Sequence, residues 1–405
     1  MPKVSVVIPN YNQTRFISAA IQSLLEQTYP SFEIIVVDDG SADNCREVVA
    51  GFGRRVRYIW QENQGLGGAR NTGIRAAKGE FIGLLDADDQ WLPSFLETMV
   101  SLTAGYPKAA VYYCCAHAMD ADGRELPQQF GGPPRSPEAM RRTLLRANFL
   151  IPSTILMRKA IVVEAGLFEQ KLQSIHGCED WDLWLRLLPE HSFVGTSAPL
   201  VRYRLHDSTL SANPAGMQRA VRAVIEKHFG PDDGQWTSWP AEKRRAYGGV
   251  YRYHVLTTVQ RQSNWQAAGS FLRRALQADP TLALDVDLFY DLALGSQPPG
   301  YRGTSHQLDL GKNAAHIHAM LDTVFDSASG LESLRRQACG TAHLALGLVA
   351  YNTGQRALCR SSLSRALYYR PELWSDSRVA GNLVKSFASQ PMLEKAKSYR
   401  DRIGA

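Results

Sequence analysis

The chain predicts a doubly wound α/β domain followed by an all-helical one. Three observations carry this. Over the first ninety residues, short β-rich runs without polar alternation are separated by amphipathic helical runs, the pattern of a mostly parallel sheet with helices on both faces. Prolines, glycines and aspartates then gather over residues 212–240. Beyond them the hydrophobic pattern is helical almost throughout. The expected division is an α/β domain over 1–215, a linker over 216–240 and a helical domain over 241–405. The chain has 405 residues, enough for two domains that each bury a core.

The elements follow in order. Val4–Ile8 is a strand stopped by Pro9. Phe16, Ile17, Ala20, Ile21, Leu24 and Leu25 fall on one helical face. Glu33–Val37 is a second strand, and Ser41 stands where an N-cap belongs, ahead of a helix through Val48 and Val49. Val56–Trp60 is a third strand, Ala69–Lys78 a helix stopped by Gly79, and Phe81–Leu85 a fourth strand. A strand near Val111–Ala116 leads to the turn Asp120-Ala121-Asp122-Gly123. An exposed loop over Gly131–Pro137 precedes a helix carrying Arg141, Arg142 and Arg146. Ser153–Met157 is expected to return to the sheet, Glu179–Leu188 to be helical, and Phe193–Tyr203 to close the domain. In the helical part, Trp265, Ala268, Leu272, Ala275 and Pro280 resemble half of a tetratricopeptide-like unit. Leu346, Gly347, Gly354, Leu363, Ala366 and Pro371 fit that pattern better; an irregular bundle is the alternative.

Composition narrows the function. Lys and Arg number 45 against 39 Asp and Glu, a mild excess that suits an anionic substrate or membrane surface but does not call for nucleic acid. The six cysteines form neither a CxxC pair nor a zinc-finger cluster, which suits reduced thiols. Met1-Pro2-Lys3 runs directly into a short apolar strand, and no stretch has the roughly 18 apolar residues of a membrane span. A cytoplasmic protein, at most peripheral on the inner face of the membrane, is expected.

Ligands of open α/β sheets bind at the carboxyl ends of the strands. There the first strand offers Pro9-Asn10-Tyr11-Asn12, the second Asp38-Asp39-Gly40-Ser41 and the fourth Asp86-Ala87-Asp88-Asp89. Acids gathered on one edge need an offsetting cation. Asp86-x-Asp88 is an oxygen-only pair suited to Mg²⁺ or Mn²⁺, which would neutralise a diphosphate leaving group. Asp-x-Asp alone recurs by chance in many proteins. Gly65-Leu66-Gly67 starts like a dinucleotide fingerprint, but Arg70 stands where the third glycine belongs, and no phosphate loop ends in Gly-Lys-Ser/Thr.

In order, the residues Val6-Val7-Ile8-Pro9-x-Tyr11-Asn12, Val36-Val37-Asp38-Asp39-Gly40-Ser41, Asn63-x-Gly65-x-x-x-Ala69-Arg70-Asn71, Leu85-Asp86-Ala87-Asp88-Asp89, Glu179-Asp180-x-Asp182-x-Trp184-x-Arg186 and Tyr203-Arg204-x-His206 resemble the family 2 glycosyltransferases. The resemblance spans about residues 3–211. It implies the GT-A fold, a Rossmann-like sheet, and transfer from a nucleotide-sugar, by default a UDP-sugar, to a glycan or lipid-linked acceptor in surface polysaccharide synthesis. It further implies that Pro9, Tyr11 and Asp39 hold the base and ribose, with Arg70 beside the donor phosphates. Asp86 would touch the ribose or sugar, and Asp88 would ligate the metal with His206 near it. Asp180 would be the general base with Glu179 beside it, and Trp181 an acceptor platform. Each has a plainer reading: His206 as a loop histidine, Glu179 as a helix-terminal acid, and Trp181 as core.

Two other classes stay open. A sugar nucleotidyltransferase would carry a Gly-rich basic loop after the first strand, where Pro9-Asn10-Tyr11-Asn12 stands instead. A non-catalytic scaffold would act through the helical domain, which in either case is expected to bind a protein partner or a second copy.

Overall fold

The structure is a computed structural model that describes residues 2–175, 177–206, 213–297, 308–326 and 330–387. Its contacts divide the chain into two compact units, Met1–Asp232 and Asp233–Ala405.

The first unit runs β1 (Val4–Asn10), α1 (Thr14–Leu25), β2 (Phe32–Asp38), α2 (Cys45–Ala50), β3 (Val56–Trp60), α3 (Gly65–Ala76) and β4 (Phe81–Leu84). It continues with β5 (Gln90–Trp91), α4 (Phe95–Gly105), β6 (Val111–Met119), β7 (Glu125–Phe130), α5 (Pro137–Arg146), β8 (Ile155–Arg158) and α6 (Lys159–Glu164). It ends with α7 (Glu179–Leu187), β9 (Phe193–Arg204) and α8 (Pro214–Phe229). The strands form one nine-stranded sheet in the order β3-β2-β1-β4-β8-β6-β9-β5, with β7 paired to β6. The β3-β2-β1-β4 half is parallel. β8 enters antiparallel between β4 and β6, β6 and β9 pair parallel, and β5 closes the far edge antiparallel. The sheet is therefore mixed beyond β4.

Alternate residues of each strand serve opposite faces. Val4, Val6 and Ile8 with Ile34 and Val36 pack under Ile17, Ile21 and Leu24 of α1 and Phe95 and Met99 of α4. Val7, Ile35, Val37, Ile82 and Leu84 serve the other face, under Ile74 of α3, Leu144 of α5 and Leu183, Trp184 and Leu187 of α7. Two cores on one sheet explain the absence of polar alternation.

Two expectations shift. Ser41 does not cap α2, which begins at Cys45; its hydroxyl instead accepts from Asn10 Nδ2 at 3.1 Å and from the Asn12 N–H at 3.0 Å. Much of the expected linker over 216–240 is the helix α8. Asn213 caps it through Gly216 N–H, Pro214 opens it and Gly230 ends it, so the residues that suggested a linker are helix punctuation.

The second unit is helical: α9 (Ala241–Gln262), α10 (Trp265–Ala278), α11 (Val286–Leu294), α12 (Leu310–Val324), α13 (Glu332–Asn352), α14 (Arg356–Tyr369) and α15 (Ser377–Phe387). Short 3₁₀ turns over Pro280–Leu284 and Pro371–Ser375 follow α10 and α14. The two runs keep one spacing. Their elements start at 241 and 332, 265 and 356, 280 and 371, and 286 and 377, always 91 residues apart. Ala268, Leu272 and Ala275 in α10 and Leu363 and Ala366 in α14 are buried, as their helical spacing requires. Among the described residues, no helix is long and apolar enough to cross a membrane.

Close approach of α3 to β1 depends on Gly73. A Cβ there would lie 2.3 Å from Val7 Cγ1. Val7 is fully buried and its branched side chain is stiff at χ1, so it cannot swing aside. Gly73→Ala gains up to about 1 kcal/mol of helix propensity against about 1–3 kcal/mol of overpacking. The expected outcome is a net loss of stability, read as a lower urea midpoint at unchanged slope. A midpoint at or above wild type would mean that α3 is free to lift off the sheet.

Candidate active site

The chain leaves β1 for β2 and β3 on one side and returns to β4 on the other, so strand order reverses between β1 and β4. That reversal opens a crevice at the strands' carboxyl ends. The side chains expected to act there come from the segments beyond β1, β2, β4 and β9 and from α3 and α7.

Beyond β1, Pro9 is buried within the strand, whereas Tyr11 is 52% exposed. Asn12 takes φ +53°, and its Oδ1 accepts from Ala42 N–H at 2.8 Å, pinning the turn to the loop after β2. Beyond β2, Asp39 is buried. Its Oδ1 accepts from Gln61 Nε2 at 2.6 Å and Gln64 N–H at 2.9 Å, and its Oδ2 from Gly65 N–H at 2.7 Å. A carboxylate thereby satisfies orphan amides at the start of α3. This is why α3 begins at Gly65, four residues before its expected start. Asp39 is fixed by α3, and only Oδ2 keeps a second acceptor position.

Beyond β4, three acids have three fates. Asp86 Oδ1 pairs with Arg70 Nη2 at 2.7 Å. Asp88 Oδ2 lies 2.9 Å from His206 Nε2. Asp89 is fully buried: Oδ2 accepts from Ser153 Oγ at 2.5 Å and Oδ1 from Arg204 N–H at 2.9 Å. Burial, with Asp88 and Asp86 nearby, pushes the Asp89 carboxyl well above the usual range. Asp89 thus ties the acidic loop to β9 and to the turn before β8, while Arg204 Nε donates to the Asp88 carbonyl at 2.8 Å. Asp88 and His206 offer a carboxylate oxygen and an imidazole nitrogen side by side, a donor set that a divalent cation accepts. Among the described residues, no group of three or more His, Cys, Asp and Glu is placed to hold a metal ion. Oxygens of a bound diphosphate and water would have to complete such a site.

Arg70 does not reach out toward a donor phosphate, as the sequence suggested. It is 1% exposed, and its second amino group, Nη1, donates to Glu179 Oε1 at 2.6 Å. Burial alone would lower its pKa; Asp86 and Glu179 outweigh that and raise it, so the guanidinium is permanently charged. Gly67, one turn before it, lets Glu179 approach, since a Cβ there would lie 3.3 Å from Glu179 Cγ.

Asp180 opens α7 beside Glu179. Its Oδ2 accepts from Asn148 Nδ2 and its Oδ1 from Trp181 N–H, both at 2.8 Å. Burial, and then the charge of Glu179, push its carboxyl up to about 6 against the pull of Arg70. Trp181 itself is 2% exposed, and its indole donates to the Leu144 carbonyl at 2.7 Å. Its ring is spent in the core against α5, so it is not an acceptor platform. Asp182, fully buried, anchors α8 through Lys227 Nζ at 2.8 Å and His228 Nε2 at 2.9 Å, and bonds Arg186 Nε at 3.0 Å within α7. Asn148 and Ser153 were missed at the sequence level: neither stands in a motif whose spacing would mark it.

Residues 5–165 match the family described as glycosyl transferase family 2. An uncharacterized glycosyltransferase of Rickettsia typhi is 32% identical over 212 residues, 51% of this chain and 65% of its own. The chain therefore spans just under two thirds of that relative's length. The Escherichia coli UDP-Glc:alpha-D-GlcNAc-diphosphoundecaprenol beta-1,3-glucosyltransferase WfgD is 29% identical over 214 residues, 52% of this chain and 80% of its own. Among solved structures, Staphylococcus aureus TarS 1–349 in complex with UDP-GlcNAc aligns at 17% identity over 83% of this chain and 90% of its own, with a TM-score of 0.49.

Proposed function

We propose that the protein is an inverting glycosyltransferase that moves a sugar from a nucleoside-diphosphate sugar, by default a UDP-sugar, to a glycan or lipid-linked acceptor. The observation that carries this is the joining of donor-side Asp86 to Glu179, the first acid of α7 and the neighbour of Asp180, through one buried cation, Arg70. It suits a reaction that needs a held leaving group and a base on the other side of the anomeric carbon. The named function of the E. coli relative, transfer onto a lipid diphosphate, supports a lipid-linked acceptor and work at a membrane surface. The 91-residue repeat of paired helices supports a second unit built from repeated helical hairpins, which engages the acceptor or a partner.

Tyr11, exposed at the end of β1, is the stacking surface for the donor base, with the Asp39 loop beside it. Asp86 would contact the ribose or sugar. Asp180 takes the proton from the acceptor hydroxyl as that oxygen attacks the anomeric carbon. The bond from that carbon to the diphosphate oxygen breaks, and the nucleoside diphosphate leaves with the electron pair. One displacement inverts the configuration. Asn148 and the Trp181 N–H hold both Asp180 oxygens, which orients the base before the acceptor arrives. Asp88 and His206 would hold Mg²⁺ or Mn²⁺, which when bound supplies positive charge to the departing diphosphate.

Nucleoside diphosphate release is expected to need both the divalent cation and Asp88. EDTA, or Asp88→Ala in saturating Mn²⁺, should lower release by about two orders of magnitude or more. Full activity in chelator would remove the metal from the reading.

A base whose carboxyl titrates near 6 must be ionised to act. The transfer rate should therefore fall as pH drops through about 6, one proton deep. Because the folded-state pKa is raised, the ionised form is the one the fold disfavours, and ionisation costs stability above the unfolded pKa. Asp180→Asn should therefore keep near wild-type stability at pH 7 while transfer drops about 10²–10⁴-fold. Donor affinity by calorimetry should stay within a few-fold. Near wild-type transfer by Asp180→Asn would take the base away from this residue.

A further inference from the structure

One side chain touches both halves of the site. Arg70 is buried on α3 and sends Nη2 to Asp86 at 2.7 Å and Nη1 to Glu179 at 2.6 Å. Each amino group has its own carboxylate, so the guanidinium fork spans from the end of β4 to the first residue of α7. The Phe168 ring, 5.6 Å from the guanidinium carbon, covers it. Phe168 is held in turn by both atoms of the Asn71 amide at 2.9 Å. The fork therefore has little freedom to move toward one carboxylate without pulling on the other. Glu179 is 5% exposed, and its bond to Arg70 leaves it poorly placed to meet an acceptor, whereas Asp180 is only partly buried.

We propose that Arg70 and Glu179 are positioning residues that couple the donor end of the site to the base, so that occupancy at Asp86 and the placement of Asp180 depend on one another. This rests on the reading of Asp180 as the base. The coupling is reciprocal: whatever the donor does to the Asp86–Arg70 bond is felt by α7, and the reverse. Asp180 senses the same pair electrostatically, because Glu179 pushes its carboxyl up and Arg70 pulls it down. Other groups around it are the Cys178 thiol, the Asn148 amide and the Trp181 N–H, while Lys227 and His228 of α8 bond Asp182.

The test combines donor calorimetry with pH–rate profiles for wild type, Glu179→Gln, Arg70→Lys, the double variant and Asp180→Asn. Glu179→Gln removes the charge that raises the Asp180 carboxyl, so the acid limb of kcat should move below about 6. Its kcat at neutral pH should fall about ten-fold or more, with donor affinity within about three-fold. Lysine cannot fork, so Arg70→Lys should lose about ten-fold or more in both donor affinity and kcat. Both changes break one link, so the double variant should be no more than about three-fold worse than Arg70→Lys alone. Multiplicative losses, or a Glu179→Gln enzyme with unmoved limb and kcat, would overturn the coupling. If Glu179→Gln does not fold, Glu179→Asp keeps the charge on a shorter arm and should lose kcat with the limb in place; wild-type kcat would again overturn it. An active Asp180→Asn removes the base assignment alone, since the donor affinities and the double variant still decide whether the link exists.

Discussion

A guanidinium cut off from water has to be matched by carboxylates, and that requirement organises the N-terminal domain. Removing one partner of a buried ion pair costs about 3–5 kcal/mol, far more than an exposed pair is worth. Arg70 has two such partners, Asp86 and Glu179, from parts of the chain about a hundred residues apart. Three segments must therefore arrive together: α3 carrying the cation, the loop after β4 carrying one acid and α7 carrying the other. Gly67 opens the space for Glu179, and Asn71 fixes the loop whose Phe168 covers the pair. An ion cluster of this kind is a poor source of net stability but a strong source of specificity, because displaced arrangements leave a charge buried alone.

Two further buried acids extend the frame. Asp89 joins the loop after β4 to β9 and to Ser153. Asp182 joins α7 to α8 through Lys227 and His228. Those same ligands of Asp182 hold its carboxyl down at about 2 despite its burial, whereas Asp89, whose neighbours are acids, is pushed well above the usual range. Burial raises both carboxyls; cationic partners overcome it at Asp182, and acidic neighbours add to it at Asp89. Cationic donors favour the charged form of one carboxyl, and like charges disfavour that of the other.

The first ninety residues were legible because each strand is short, apolar and bounded by a turn residue, and each helix has one apolar face. Phe16, Ile17, Ile21 and Leu24, which mark α1 in the sequence, are all buried in the structure. Residues 212–240 misled because proline and glycine punctuate helices as well as linkers; Pro214 and Gly230 begin and end α8. The acids were legible as a group at strand ends. Their division of labour was not, because a hydrogen-bond partner such as Asn148 or Ser153 comes from elsewhere in the chain. Trp181 shows the same limit. A tryptophan beside two acids suggests a sugar platform, and only the position of Leu144 turns its ring inward.

That division of labour separates residues one or two positions apart. In the run from Asp86 to Asp89, the first acid meets a permanent cation, the second a histidine and the third a buried serine and a backbone amide. In the run from Glu179 to Asp182, the first is spent on Arg70, the second is held by neutral amides, and the fourth anchors a helix. A carboxylate bonded to a permanent cation is a weak base, because the cation stabilises its charge. One held by neutral donors in a partly buried place keeps its basicity. By that criterion the proposed base is Asp180, and the proposed role of Glu179 is to hold it in place.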